Sequence, residues 1–122
     1  MAVRSGFPIL TTGDLGRLVD FYRAAFDAER AYGFAGEDGA DEYVTLTVGG
    51  TSLGIGRGDA GMGSTHDRTA LWFYVDDVDD AYRRALDAGA TGQREPTDMP
   101  WGERVAQVHD PDGLVINLGA ES

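Results

Sequence analysis

The signals in the first half of the chain return 63 residues later, and this internal repeat limits the possible folds more than any single motif does. Asp14-Leu15 falls on Asp77-Val78, Leu18-Val19 on Ala81-Tyr82, and Gly50 on Gly113, without a gap. In the first half, Phe7–Thr11 reads as a strand, and Pro8 restricts it to an edge or to its own first residues, because proline donates no ladder hydrogen bond. Thr12-Gly13-Asp14 is a helix-start signal. Leu15, Leu18, Val19, Tyr22 and Phe26 then recur at helical spacing, which predicts a helix over about 14–26. Strand-like runs follow at Ala31–Gly36, Glu42–Val48 and Thr51–Arg57, the last two joined by Gly49-Gly50, a pair suited to a tight hairpin.

The second half repeats the order. Thr69–Val75 is a strand, Asp76-Asp77 starts a helix carrying Val78, Ala81, Tyr82, Ala85 and Leu86, and Ala88-Gly89-Ala90 ends it with glycine near the C-terminal cap. Strands fit Thr91–Glu95, Val105–His109 and Leu114–Leu118, the last two joined by the turn Asp110-Pro111-Asp112-Gly113. The fold expected is α+β: two tandem β-α-β-β-β modules at an offset of 63 residues, forming a curved mixed sheet around a cleft. A chain of 122 residues buries roughly two thirds of its unfolded surface, enough for one modest core. One domain over 1–122 is therefore expected, with module 1 at about 5–57, a linking loop at 58–68 and module 2 at about 69–120.

Charge and composition then exclude several classes of partner. A net charge of −11 repels nucleic acid phosphates and anionic membrane surfaces and favours cationic ligands, so neither nucleic acid nor membrane is expected as a partner. The absence of cysteine excludes a disulfide framework, a thiolate metal site and a thiol nucleophile. No apolar run near the N-terminus is long enough for a signal peptide or a membrane span, so a cytoplasmic location is expected. Ser5, Ser52, Ser64 and Ser122 lack the context of an activated nucleophile, and no glycine-rich run carries a phosphate loop's lysine. Acid pairs such as Asp76-Asp77 and Asp79-Asp80 sit where they complement a helix dipole.

Gly13-Asp14-Leu15, Asp20-Phe21-Tyr22, Val75-Asp76-Asp77-Val78, Ala88-Gly89-Ala90, Pro100-Trp101-Gly102-Glu103-Arg104 and Asp110-Pro111-Asp112-Gly113 together resemble the vicinal oxygen chelate superfamily of glyoxalases, bleomycin-resistance proteins and extradiol dioxygenases. The resemblance spans nearly the whole chain, and the order and spacing of the motifs carry it. Pro8-Ile9-Leu10-Thr11, the Trp72-Phe73-Tyr74-Val75 strand and Pro100-Trp101-Gly102 are most similar to bleomycin-resistance proteins. That likeness implies a homodimer in which two chains share each cleft, often with an exchanged N-terminal arm. Pro8 fits equally the hinge of such an arm or the start of an edge strand.

Superfamily enzymes hold a divalent metal with His, Gln or Glu on the first and last strands of each module. The resemblance puts those positions at Phe7, Gly54, Ala70 and Asn117, three of which carry no donor atom, so no metal, no other cofactor and no catalytic residue is expected. The two histidines, His66 and His109, fall outside the family's ligand positions. What the cleft offers instead is aromatic. Strand alternation sends Trp72 and Tyr74 to the same side as Ala70, Ile9 to the side of Phe7, and Val115 to that of Asn117. Tyr32, Phe34 and Tyr43 are expected on the opposite wall, with Met99 and Trp101 on a capping loop, and ordinary core is the competing role for these aromatics. Glu103 and Arg104 are expected to pair at the surface or to meet polar groups of a ligand.

The expected function is metal-independent sequestration of a cytotoxic aromatic natural product by a homodimer, as the bleomycin-resistance likeness implies. The alternative is an isomerase, epimerase or lyase acting on a small metabolite, either metal-free or with an atypical site built from Asn117, His109 and a carboxylate such as Glu42.

Overall fold

The computed structural model describes residues 5–58 and 69–121. The first β-α-β-β-β unit runs β1 (Ile9–Thr12), α1 (Leu15–Phe26), β2 (Glu29–Ala35), β3 (Asp41–Val48) and β4 (Thr51–Arg57). The second runs β5 (Ala70–Tyr74), α2 (Val78–Asp87), β6 (Thr91–Asp98), β7 (Glu103–His109) and β8 (Val115–Glu121). The expected mixed sheet is built as two four-stranded sheets, in the orders β1-β4-β3-β2 and β5-β8-β7-β6. In each, the first strand lies parallel to the last and the others are antiparallel. Pro8 precedes an edge strand, as its missing N–H requires, and its carbonyl accepts from the Gly54 amide at 2.9 Å.

Register makes the repeat physical. Ile9, Leu10 and Thr11 pair with Gly54, Ile55 and Gly56, and 63 residues on Trp72, Phe73 and Tyr74 pair with Asn117, Leu118 and Gly119. The offset slips by one at the third strand of each module. Tyr43 faces Gly56, whereas Val105 faces Gly119, because the Asp110–Gly113 turn is longer than the Gly49-Gly50 turn.

Both helices begin where the sequence marks them. Asp14 and Asp77 are the N-caps, their side chains accepting from the Arg17 and Asp80 amides at 3.1 Å each. Helix α1 ends on Asp27, held in the left-handed region at φ 56 and ψ 32, while α2 ends just before Gly89 at φ 117. The face that α1 buries is Leu15, Leu18, Phe21, Tyr22 and Ala25, which moves Phe21 and Ala25 inward and leaves Val19 and Phe26 half-buried. On α2 only Val78 and Ala85 are buried, and Leu86 is exposed.

Each helix packs on its own sheet, and the two helices also pack on each other. The core is therefore one continuous cluster drawn from both units, including Leu46, Leu53, Ile55, Val108, Ile116 and Leu118. Strand ends differ most from expectation at β6, which continues past Glu95 to Asp98 through Pro96, tolerated because β6 is an edge with two register shifts. The expected linking loop, but for Gly58, lies outside the described residues, as do His66, Ser64 and Ser122.

Candidate functional site

Helices cover one face of each sheet, so alternation along the strands turns the other set of side chains to an open face. On the first sheet that open face carries Ile9 from β1, Tyr32 and Phe34 from β2 and Tyr43 from β3, with Phe7 just ahead of β1. Ile9 and Tyr32 are each 58% exposed, which rules out the core role for them. The rings form a run, Tyr32 to Phe34 at 6.3 Å and Phe34 to Tyr43 at 5.9 Å. Tyr43 lies across the glycines of β4. A Cβ added at Gly54 would stand 2.5 Å from the Tyr43 hydroxyl and 3.1 Å from Ile9 Cγ1, and one at Gly56 would stand 3.6 Å from Tyr43 Cδ1. The Thr45 hydroxyl donates to the Tyr43 oxygen at 3.1 Å and fixes the ring's outer end.

On the second sheet the open face carries Trp72 and Tyr74 from β5 and Asn117 from β8, with Trp101 on the turn between β6 and β7. Trp72 and Tyr74 are 5.8 Å apart, and Trp101 is 62% exposed. Met99 is half-buried at the start of that turn, its amide donating to the Glu103 carbonyl at 2.7 Å. The structure thus gathers the ten candidate residues into two clusters, one per sheet, rather than onto one surface of a single chain.

Three polar groups join these faces, of which Gln107 and Thr45 were not expected from the sequence. Glu103 accepts from Trp101 Nε1 at 2.7 Å, and its carboxylate, near the Tyr74 hydroxyl, raises the Tyr74 pKa above its ordinary 10.0. Gln107 donates to the Asn117 side-chain oxygen at 2.7 Å, and Thr45 meets Tyr43 as described. Strand alternation was the available signal, since 103 and 107 share the face of Asn117. It also corrects the expected pairing of Glu103 with Arg104, because neighbours on a strand point to opposite faces. Arg104 instead reaches Asp79 on α2 at 2.9 Å and Asp98 at 3.1 Å, and these partners raise its pKa.

The positions that would carry a superfamily metal do not suit one. Phe7, Gly54 and Ala70 have no donor atom, and the Tyr43 hydroxyl occupies the space over Gly54. Asn117 is already committed, its amide nitrogen donating to the Leu71 carbonyl at 3.2 Å and its oxygen accepting from Gln107. Among the described residues no three His, Asp or Glu side chains are grouped to hold an ion. The atypical alternative is likewise not assembled within one sheet. Glu42 lies on β3 with its carboxylate against Gly36, while His109 and Asn117 stand on β7 and β8.

Comparison with known proteins agrees with this architecture. An uncharacterized protein of Mycobacterium bovis is 32% identical, over 92% of this chain and 80% of its own length. The anthracycline biosynthesis protein DauV of Streptomyces sp. strain C5 is 33% identical, over 93% of this chain and 40% of its own length, so this chain spans less than half of that protein. The crystal structure of a glyoxalase/bleomycin resistance protein/dioxygenase family enzyme from Burkholderia phytofirmans superposes with a TM-score of 0.81 over 95% of this chain and 97% of that one, at 20% identity, a likeness of fold. The family model described as Glyoxalase/Bleomycin resistance protein/Dioxygenase superfamily matches residues 4–118, and the chain belongs to that superfamily.

Proposed function

We propose that this protein binds and sequesters a cytotoxic aromatic natural product without a metal, acting as a cytoplasmic homodimer. The observation that carries the reading is the pair of open sheet faces lined by Tyr32, Phe34, Tyr43, Trp72 and Tyr74, around Phe7, Gly54 and Ala70, which carry no donor where a metal enzyme of the superfamily needs one. Flat aromatic walls with a few polar tips suit planar conjugated ligands, each good ring contact contributing on the order of 1 kcal/mol beyond area burial. β1 and β5 are outermost strands, so a second copy apposed along those edges gives each face a second wall and forms two clefts per dimer. The net charge of −11 favours a cationic ligand. The likeness to an anthracycline biosynthesis protein supports a polycyclic aromatic ligand. Its assignment to biosynthesis also supports a second reading, in which the same cleft turns over such a compound.

The test is a tryptophan-fluorescence titration of chelator-treated protein with bleomycin-type, anthraquinone, enediyne and mitomycin-like compounds, repeated on Trp72→Phe and Trp101→Phe. Saturable quenching at one ligand per chain, weakened in either variant, is the expected result. A stoichiometric metal surviving chelation overturns the metal-free reading, and product accumulating beyond one equivalent per chain replaces capture by catalysis.

A further inference from the structure

We infer that Gly119 is a positioning residue that seats the N–H edge of the Trp72 indole against β8, and so sets the plane in which the cleft accepts a ligand's ring system. The inference deepens the binding reading above and rests on it. A Cβ built on Gly119 would lie 2.9 Å from Trp72 Cζ2 and 3.2 Å from both Cε2 and Nε1. Cζ2, Cε2 and Nε1 are consecutive atoms of the indole's N–H edge, so it is this edge of the ring that lies along the glycine. Real side chains do not approach this closely, so any residue other than glycine displaces the ring. Trp72 is nevertheless 42% exposed, so ring surface beyond the edge held at Gly119 is free to stack, with Tyr74 tilted at 57° beside it.

The first module reaches a related result by a different route. Gly56, the repeat mate of Gly119, also lies beneath an aromatic ring, but that ring is Tyr43 from the antiparallel neighbour β3. In the second module the ring comes from the parallel neighbour β5, and Val105, which faces Gly119 from β7, is buried. The two platforms therefore approach their glycine strands from opposite sides. The contact at Gly56 is an ordinary 3.6 Å and the tight one beneath Tyr43 is at Gly54, where a Cβ would stand 2.5 Å from the hydroxyl, whereas on the open face of the second sheet Gly119 is the position at which a single methyl group redirects the Trp72 ring.

The experiment uses the full chain in a Trp101→Phe background, which leaves Trp72 as the sole tryptophan. Gly119→Ala is compared with its parent by acrylamide quenching, near-ultraviolet circular dichroism and thermal denaturation. Both are then titrated with an amino-substituted anthraquinone. Gly16→Ala, a site in open space on α1, serves as the matched substitution. Without ligand, Gly119→Ala is expected to increase quenching of Trp72 and alter its near-ultraviolet signal, effects absent in Gly16→Ala. Loss of one ordered stacking surface is expected to weaken binding roughly five- to tenfold.

An unchanged Trp72 signal overturns the inference whatever the ligand does. A changed signal with undiminished affinity overturns its claim on specificity. If the parent fails to bind any aromatic probe, the binding reading falls and takes the ligand half with it, while the ligand-free spectra still report ring placement. Should Gly119→Ala fold poorly, the Trp72→Ala/Gly119→Ala double variant is expected to be as stable as Trp72→Ala alone, since the clash partner is gone. Equal losses in both backgrounds overturn the proposed contact.

Discussion

At the scale of single residues, the most constrained side chain outside the aromatic faces is Asp110. It is 2% exposed, and its carboxylate accepts from the Tyr22 hydroxyl at 2.8 Å and from the Asp112 and Leu114 amides at 2.8 and 3.0 Å. The Asp-Pro-Asp-Gly turn of the second module is thereby tied to the first module's helix across 88 positions of sequence. Deleting one partner leaves a buried polar group unsatisfied, so Asp110→Ala is expected to cost about 3 kcal/mol and Tyr22→Phe about 1–2 kcal/mol in denaturant unfolding. Burial first, then the charge of Asp110, raises the Tyr22 pKa well above 10.0. A folded pKa raised above the unfolded one means that this contribution is complete below pH 10 and lost as pH rises through the folded value. In an ultraviolet titration, one of the five tyrosines should resist ionisation until the chain unfolds, and that tyrosine should be missing in Tyr22→Phe.

Elements follow the sequence closely where a local cause acts and loosely where it does not. The helix starts were legible because a capping aspartate has a local job, the same in both repeats: its carboxylate holds an amide three residues on. Asp77→Ala should therefore destabilise by about 1 kcal/mol, lowering Tm by roughly 3–6 °C in a chain of this size. Asp79 and Asp80, in the first turn of α2, complement its dipole but do not replace the cap. The buried face of α1 was read less well. Helical spacing alone admits Val19 and Phe26 as readily as Phe21 and Ala25, and the sheet and α2 decide among them. The extension of β6 through Pro96 was hidden for a similar reason, since proline argues against a strand unless that strand is an edge.

For the whole molecule, the question is what holds one β-α-β-β-β unit against the other. The α1–α2 contact, the edge-on approach of Phe26 to Phe73 at 5.1 Å, the Tyr22–Asp110 bond and the Asp27–Arg84 ion pair at 2.8 Å all cross the seam. The Arg84 hydrogen bond and charge hold the Asp27 carboxyl below its ordinary 3.8. A depressed folded pKa contributes stability that is present above pH 3.8 and lost as pH falls through the folded value. Both groups face solvent, so the effect is small and screened by salt. Relative to the parent, Asp27→Asn is expected to show a shallower loss of Tm below about pH 4 at low salt, with the difference shrinking at about 1 M salt. Identical acid limbs would remove the pair from any role in joining the units.

The sequence by itself determined the duplicated strand-helix-strand order, the helix starts, both hairpin turns and the lack of donors at the metal positions. Each of these rests on local chemistry: caps, turn residues, alternation and the identity of one side chain. Tertiary structure alone decided that Tyr43 and Trp72 lie over glycines, that Arg104 turns to α2 rather than to Glu103, and that Tyr22 meets Asp110. These depend on which strands become neighbours and in what register, and a one-residue slip between modules, set by the length of a single turn, gives the two halves different neighbours from the same pattern.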